Sequence, residues 1–323
     1  MHGNPGKLEQ DSLILTTPPV SQFTRGYIIC ILATFLWAST GVLIRYLTES
    51  FALPPLVLAF WRDAMLSLGL LGLFALARPQ LLQIGKQNLR FMAVYGFVVA
   101  VFNSLWTVSV SLNGAAVATV LAYSSAAFTA LLGRWLLKER LDAGKAAAVS
   151  LSLLGCVLVS GAFDPAAWRL NPAGILTGLA SGMLFASYSL MGRVSAGRGI
   201  HPWSALAYSF FGAAVFLLGF NLGGDLLAGK PLLGELGWLG SQWTGWGVLL
   251  FLALVPTAGG FGLYTVSLGY LPASVANLIA TLEPALTAGM AYLALGEVLN
   301  NVQLLGGGLI LFSVIFLRLI SKA

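Results

Sequence analysis

The chain has 323 residues, of which 58% are hydrophobic and 9% are charged, and its formal net charge is +6. Soluble domains carry about 25% charged residues, so this composition, with a mean hydropathy of +0.88, excludes an ordinary soluble protein. It predicts an all-α integral membrane protein that lies mostly within the lipid bilayer.

Apolar runs long enough to cross a bilayer, roughly 20 residues each, follow a polar tail at 1–24. The tail lacks the basic start and cleavage site of a secretory signal, and we expect it to be mobile. The ten predicted spans are 25–46, 56–77, 90–112, 115–137, 145–161, 172–192, 202–221, 245–269, 272–295 and 301–318. Their loops are short and leave no room for a separate soluble domain.

The fourth and ninth spans carry an internal repeat. When 106–139 is aligned without gaps to 264–297, 12 of 34 positions are identical. Weak internal symmetry of this kind is typical of transporter folds. We therefore predict two five-helix repeats, at 25–162 and 172–319.

The placement of basic residues predicts the orientation. With both termini in the cytoplasm, 13 Lys and Arg residues fall on the inner side, and 4 are outer or ambiguous. The positive-inside rule favours this arrangement, with both ends cytoplasmic. Five spans per repeat is an odd number, so the second repeat inserts upside down and the two repeats are inverted.

Glu283, beside Pro284 near the middle of the ninth span, is the strongest functional candidate. An ionisable residue at mid-helix costs roughly 2.5–3.5 kcal/mol on insertion scales. Three roles stay open for it: contact with a substrate ammonium group, carriage of a coupling proton, or a structural hydrogen bond between helices. Arg62 and Asp63 are interpreted first as a structural pair, although a guanidinium also binds carboxylates.

Neutral polar side chains at membrane depth predict a shared wet cavity, and tryptophans supply its apolar walls. Donors, acceptors and aromatic faces together suit a small amphipathic organic solute. The candidate substrate-binding or coupling residues are Glu283, Asn277, Thr281, Asn103, Trp106, Thr107, Tyr123, Ser124, Trp37, Tyr188 and Tyr264.

Pro and Gly residues in the eighth and ninth spans predict bending points. Pro256 has no N–H to donate within the helix, so it frees a backbone carbonyl near Leu252. We predict a hinge at Pro256, Gly259, Gly260 and Pro284, with a static packing kink as the alternative.

Small residues and one tryptophan-rich loop predict helix contacts. Gly174, Gly178 and Gly182, with the alanines at 118, 122, 126 and 130, favour close approach of the sixth and fourth spans to their neighbours. The loop at 222–244 is predicted to anchor at the membrane interface rather than to cover a substrate.

Enzyme and nucleotide motifs are absent from the sequence. It has two histidines, no HExxH, no GxxxxGK[ST] and no Cys/His cluster. This excludes an ATP-driven pump on this chain and argues against metal catalysis. We predict no enzyme activity, no cofactor, no metal and no nucleic-acid partner.

Several short motifs resemble those of the drug/metabolite transporter superfamily, in its ten-span, two-repeat branch. They are Leu282-Glu283-Pro284, Leu295-Gly296-Glu297 and Gly306, the weaker Ser124-Ser125-Ala126, Lys138-Glu139 and Gly155, and Trp37-Ala38-Ser39 with its echo Phe185-Ala186-Ser187, together with Arg62. The resemblance is strongest to bacterial inner-membrane exporters of aromatic and other amino acids. It implies an inner-membrane protein that exports a small molecule by alternating access.

Three rival functions remain open. The first is multidrug efflux of cationic aromatic compounds, held by Glu283 and cation–π contacts. The others are an integral-membrane enzyme acting on lipid and a passive channel. A departure from the family pattern is that the first repeat has Ser125-Ala126 in place of Glu-Pro, so it offers no second acidic site.

Overall fold

The structure is a computed structural model, and it describes residues 20–113, 118, 121–136, 142–160, 172–287, 290 and 301–320. Its regular elements in these ranges are all helical, which confirms the predicted fold class. The α-helices are α1 Val20–Ala38, α2 Thr40–Ser50, α3 Pro55–Ala77, α4 Leu89–Asn113, α5 Ser125–Leu136, α6 Ala143–Ser160, α7 Pro172–Gly197, α8 Pro202–Leu227, α9 Trp243–Leu252, α10 Ala258–Ser267, α11 Ala273–Ala280 and α12 Asn301–Ile320.

Five helical stretches are long and apolar enough to cross a membrane, judged by length and composition: Gln22–Ser50, Pro55–Ala77, Lys86–Leu112, Pro202–Leu227 and Trp243–Ser267. They coincide with the first, second, third, seventh and eighth predicted spans. Helices α5, α6, α7, α11 and α12 overlap the other five. The predicted loops at 138–144 and 296–300 lie wholly or mainly outside the described residues.

Several predicted boundaries were wrong. Helix α1 begins at Val20, so the last five residues of the predicted tail are helical, and the rest of the tail lies outside the described residues. Helices α7 and α8 run on to Gly197 and Leu227, beyond the predicted ends. The apolar pattern marks the lipid-facing length, whereas a helix continues into the interface until its last carbonyls find other partners. At the end of α8, the Asp225 backbone carbonyl accepts a hydrogen bond from the Lys230 N–H of the next loop at 2.9 Å.

Three predicted spans are broken rather than continuous. The breaks fall at Ser39, at Ser124 and at Thr281. At each break a hydroxyl donates to the carbonyl three residues earlier: to Leu36 at 2.9 Å, to Leu121 at 2.6 Å and to Leu278 at 2.6 Å. Ser and Thr side chains compete in this way with the hydrogen bonds of the helix. At each break the hydroxyl therefore bonds to one of the carbonyls that the break leaves without a helical partner.

The breaks in the fourth and ninth spans are equivalent under the repeat. The Ser124 N–H donates to the Leu121 carbonyl at 3.2 Å, and the Leu282 N–H donates to the Ile279 carbonyl at 3.0 Å. The two donors and the two acceptors are each 158 residues apart, as in the sequence alignment. The two copies therefore share their local backbone structure as well as a third of their residues.

Packing between the repeats is itself symmetric. Helix α3 packs on α8, α6 on α12 and α5 on α11, and each of these pairs joins equivalent spans of the two copies. Other contacts come in matched pairs: α1 with α10 mirrors α4 with α7, and α1 with α11 mirrors α5 with α7. Exchanging the two repeats leaves these pairs unchanged.

Glycines permit the closest helix contacts, as the sequence predicted for Gly178 and Gly182. A Cβ atom at Gly178 would lie 2.6 Å from Leu121, and one at Gly182 would lie 2.9 Å from the Leu121 carbonyl oxygen. Helices α6 and α12 meet in the same way, since a Cβ at Gly155 would lie 2.7 Å from the Gly306 carbonyl oxygen. The side chains of Ala126 and Ala130 lie outside the described set.

The predicted distortion in the eighth span is a π-helical turn, Ala253–Thr257, with Pro256 inside it. Proline has no N–H to donate to the Leu252 carbonyl, and the Thr257 hydroxyl donates to that carbonyl instead, at 2.7 Å. This confirms the freed carbonyl near Leu252. The distortion is thus stabilised by a side chain two residues before the glycine pair, Gly259 and Gly260.

Gly259 and Gly260 have a packing role. Added Cβ atoms would lie 2.8 Å from Leu36 and 2.5 Å from Trp37, both on α1. The glycines therefore let α1 approach α10 closely at the level of the central cavity. Their function as a hinge stays a prediction.

Replacing Thr257 with valine is expected to lower the free energy of unfolding by about 1 kcal/mol, because it removes a buried hydrogen bond and keeps the side-chain shape. The measurement is the melting temperature of the purified protein in detergent. Thr177→Val is the matched control, since the Thr177 hydroxyl bonds to ordinary helical carbonyls of its own helix. Equal melting temperatures for the two variants would contradict the role given to Thr257.

Candidate functional site

A partly open cavity lies between the two repeats, with about 510 Å³ of space between atoms that includes open solvent. The first repeat provides most of its polar lining, and the second provides two phenylalanines and a carboxylate. The described lining residues are Trp37, Thr40, Arg62, Phe102, Asn103, Trp106, Ala122, Tyr123, Phe185, Phe261 and Glu283.

Glu283 reaches the cavity because the ninth span is broken just before it. Helix α11 ends at Ala280, and the chain is helical again over 283–287. Pro284 lies in the first turn of that segment, where a missing N–H does not interrupt the helix. The hydroxyl of Tyr123, from the equivalent span of the first repeat, donates to Glu283 Oε2. The site carboxylate is therefore bound across the interface between the repeats.

Arg62 supplies the cationic group of the cavity. Its side chain is 1% exposed, and its Nε atom donates to Asp63 Oδ1 at 3.3 Å. Asp63 also accepts a 2.6 Å hydrogen bond from the Asn103 amide. The predicted structural pair is confirmed, yet Arg62 also lines the cavity, and its Nη2 atom has no hydrogen-bond partner among the described residues.

Aromatic rings form one wall, with Trp37 at its centre. The Trp37 ring centroid lies 5.6 Å from that of Phe185, 4.8 Å from Phe261 and 4.9 Å from Tyr264. These distances fall in the range of favourable aromatic pairing. The Trp37 indole N–H nevertheless finds no partner in the described part of the chain.

A second polar network lies behind the cavity, between the two broken spans. The Ser125 hydroxyl donates to Asn277 Oδ1 at 2.9 Å, and the Asn277 amide donates to Ser189 Oγ at 3.2 Å. Ser189 is also 2.7 Å from the Tyr264 hydroxyl. Thr281 bonds to Ser152 of the fifth span. These fully buried groups hold the helices together.

The structure brings together five of the eleven candidate residues, namely Trp37, Asn103, Trp106, Tyr123 and Glu283. The other six are not among the described lining residues. Asn277, Tyr264 and Thr281 belong to the network behind the cavity, and Tyr188 pairs with Thr265 at 2.7 Å. Thr107 and Ser124 bond to carbonyls of their own segments.

Sequence reasoning missed the cavity roles of Thr40, Phe102, Ala122, Phe185 and Phe261. Two of these were detectable from the repeat. Phe185 is the echo of Trp37 in the Trp-Ala-Ser and Phe-Ala-Ser motifs, and Phe261 lies 158 residues after Asn103. For these two residues the repeat was the available signal, although Tyr264 and Thr281, the equivalents of Trp106 and Tyr123, are not among the described lining residues.

The tryptophan-rich loop at 222–244 is docked on the protein. The Trp61 indole donates to the Leu236 carbonyl at 2.8 Å, and the Trp238 indole donates to the Phe51 carbonyl at 2.9 Å. Leu239 is buried with residues of α2 and α3. On the exposed side, a 2.6 Å bond to Glu235 raises the pKa of Lys230. The loop packs against the ends of these helices, and the cavity lining contains none of its residues among those described.

Comparison with known proteins agrees with this architecture. The model of the EamA-like transporter family matches twice, over residues 24–161 and 172–319. An uncharacterised transporter of Bacillus subtilis (strain 168), YwfM, is 27% identical over 288 residues, covering 88% of this chain and 90% of that protein. A probable amino-acid metabolite efflux pump of Salmonella typhimurium (strain LT2) is 25% identical over 286 residues, covering 88% and 91%.

A solved crystal structure has the same fold. It aligns with a TM-score of 0.73 at 16% sequence identity, over 93% of this chain and 98% of that one. The two matches of the family model span most of the chain and correspond to two copies of one unit. This chain is therefore a member of the EamA-like transporter family, a multi-pass membrane transporter built from two repeats.

Proposed function

We propose that this transporter exports amino acids or similar small amphipathic metabolites across the bacterial inner membrane. The observation that carries the proposal is the cavity between the repeats, where a carboxylate, a guanidinium and aromatic rings face one space. An amino acid presents the complementary groups: an ammonium, a carboxylate and a side chain. The name of the Salmonella relative points to the same substrate class.

Alternating access is the proposed mechanism, with the repeats at 25–162 and 172–319 as the moving units. Two features support it: most contacts between the repeats have a counterpart when the repeats are exchanged, and an odd number of spans per repeat requires inverted insertion. Inverted repeats of this kind rock about a central site. The bending points are Pro256, Gly259, Gly260 and Pro284, and both termini are cytoplasmic.

The substrate-binding residues in this proposal are those that line the cavity, among them Glu283 with its partner Tyr123, and Arg62 and Asn103, which share the partner Asp63. A gradient of substrate or of protons drives the cycle. Glu283 is the group that would carry the proton, because it is the one carboxylate in the described cavity lining.

Efflux of cationic aromatic drugs is the second candidate, favoured by the aromatic wall around Trp37. A cation over an indole face gains about 0.5–2 kcal/mol. Arg62 opposes this candidate, because its positive charge lines the same cavity and repels a ligand that carries no negative group.

Reconstituted transport is the test. Proteoliposomes loaded with an unlabelled amino acid are expected to take up the same labelled amino acid by counterflow, with saturation. Aromatic amino acids such as phenylalanine are the first substrates to use, and ethidium is the cationic comparison. The experiment is repeated with and without a pH gradient to detect proton coupling.

Empty liposomes and liposomes with heat-denatured protein are the controls. Saturable ethidium flux with no amino-acid counterflow would favour drug efflux instead. Flux that rises linearly with concentration would indicate a channel and contradict the proposal.

A further inference from the structure

We propose that Arg62 binds the carboxylate of the substrate, so that this transporter accepts zwitterionic amino acids and rejects the corresponding amines and amides. The inference rests on the proposed function and gives it a specific chemistry. The sequence suggested mainly a structural role for Arg62; the structure assigns it a second one.

The first supporting observation is the unused bonding capacity of the guanidinium. Arg62 is held in place by Asp63 through Nε alone, whereas a guanidinium has five N–H donors in a rigid fork. Its Nη2 atom is buried and has no hydrogen-bond partner in the described ranges. Buried donors are almost always paired, so an unpaired guanidinium nitrogen beside a cavity indicates a ligand with acceptor oxygens.

The second observation is that other unpaired polar atoms line the same cavity. They are Trp37 Nε1 and Thr40 Oγ1, which are donors or can act as donors, and Asn103 Oδ1, which is an acceptor. Trp37 and Thr40 flank the break at Ser39, so both helix ends at this break reach the cavity. An indole N–H, a hydroxyl and a guanidinium together match the two oxygens of a carboxylate.

The third observation is that the two charged groups of the lining have separate hydrogen-bond partners. Glu283 comes from the second repeat and is bonded to Tyr123, whereas Arg62 is bonded to Asp63 and comes from the second span of the first repeat. A simple amine would satisfy Glu283 and leave the guanidinium nitrogen and the indole unpaired. A zwitterion satisfies both ends, and the Asn103 oxygen offers an additional acceptor for its ammonium group.

Asp63 completes the arrangement as a positioning residue. It accepts from both Arg62 and Asn103, so it fixes the guanidinium and turns the Asn103 carbonyl oxygen away from itself. It is fully buried and is not among the described cavity-lining residues. The negative charge of Asp63 offsets the positive charge of Arg62, which lowers the free-energy cost of burying the pair at membrane depth.

The wild-type experiment needs no variant. Counterflow in proteoliposomes is measured with labelled L-phenylalanine, and L-phenylalaninamide and 2-phenylethylamine are tested as competitors. Both competitors keep the ring and the amine and lack the carboxylate. We expect each to compete at least about tenfold more weakly than unlabelled phenylalanine, since a site built to bond a polar group rejects analogues that lack it.

Variants then assign this preference to Arg62. Arg62→Gln alone leaves Asp63 as an unpaired buried charge, so the double change Arg62→Gln with Asp63→Asn is used to keep the pair neutral. We expect the double variant to lose the preference for the acid over the amide, with the ratio falling to about one. Arg62→Lys is expected to keep a reduced preference, because it retains the charge without the fork.

The outcomes are distinguishable. If the wild-type protein carries phenylalanine and the amide competes equally well, the carboxylate role is wrong while the transport function stands. A double variant that still transports and still prefers the acid overturns it in the same way. If neither phenylalanine nor any other amino acid tested is carried, the proposed function itself fails, and this inference fails with it.

Discussion

Replacing Glu283 with glutamine is expected to reduce amino-acid counterflow by about 30-fold or more. Removing one member of a buried, hydrogen-bonded charge pair costs about 2–5 kcal/mol in binding, and each 1.4 kcal/mol is a factor of ten. The glutamine side chain keeps the shape and still accepts from Tyr123, so the loss reports the missing charge. The measurement is the initial rate of counterflow per mole of reconstituted protein, at several values of external pH.

Glu235→Gln is the matched control. That carboxylate lies on the loop at 222–244 and bonds to Lys230 at the surface, so the change removes a negative charge far from the cavity lining. A structural role alone for Glu283 predicts a different pattern, in which the melting temperature falls while transport and its pH dependence are unchanged. That pattern would remove Glu283 from the functional site.

Replacing Gly260 with leucine is expected to destabilise the protein by about 1–3 kcal/mol, as overpacking of a well-packed contact does. A Cβ atom alone would lie 2.5 Å from the Trp37 ring. Trp37 must then move, and it carries the aromatic wall of the cavity with it, so we expect transport to fall together with the melting temperature. Tryptophan fluorescence reports the displacement directly.

Gly247→Leu provides the comparison. Gly247 lies in α9, on the same predicted span as Gly260, and an added Cβ would meet nothing within 4 Å. We expect that variant to melt within a few degrees of the wild type and to transport normally. Equal stability of the two leucine variants would show that α1 and α10 do not require a glycine at their contact.

The repeat, the helical class and the central carboxylate were predictable because each depends on local composition or on the alignment of one segment with another. The breaks were not. Ser124 sits in a run without proline or glycine, whereas the equivalent break at 281–282 precedes Pro284. A serine three residues after a leucine is common in intact helices, so the hydroxyl that stabilises a break carries no signal of its own.

The cavity was only partly predictable for a geometric reason. Its described lining comes from seven spans, and the face that each helix turns inward depends on its rotation. Helices that are apolar on every side, such as α8 and α9, give no periodic signal for that rotation. Arg62 illustrates the problem: its pairing with the adjacent Asp63 was evident from the chain, and its unpaired nitrogen was evident only after the helices were packed.

The pairing of Tyr123 with Glu283 across the interface between the repeats has a consequence for stoichiometry. Two identical subunits would contribute matching groups, either two acids or none, whereas the two repeats of this chain differ, with serine at position 125 and glutamate at position 283. Under the proposed function, a proton and a substrate ammonium would compete for the oxygens of the one carboxylate in the described lining. We then expect each turnover to exchange one positive charge for another at that position.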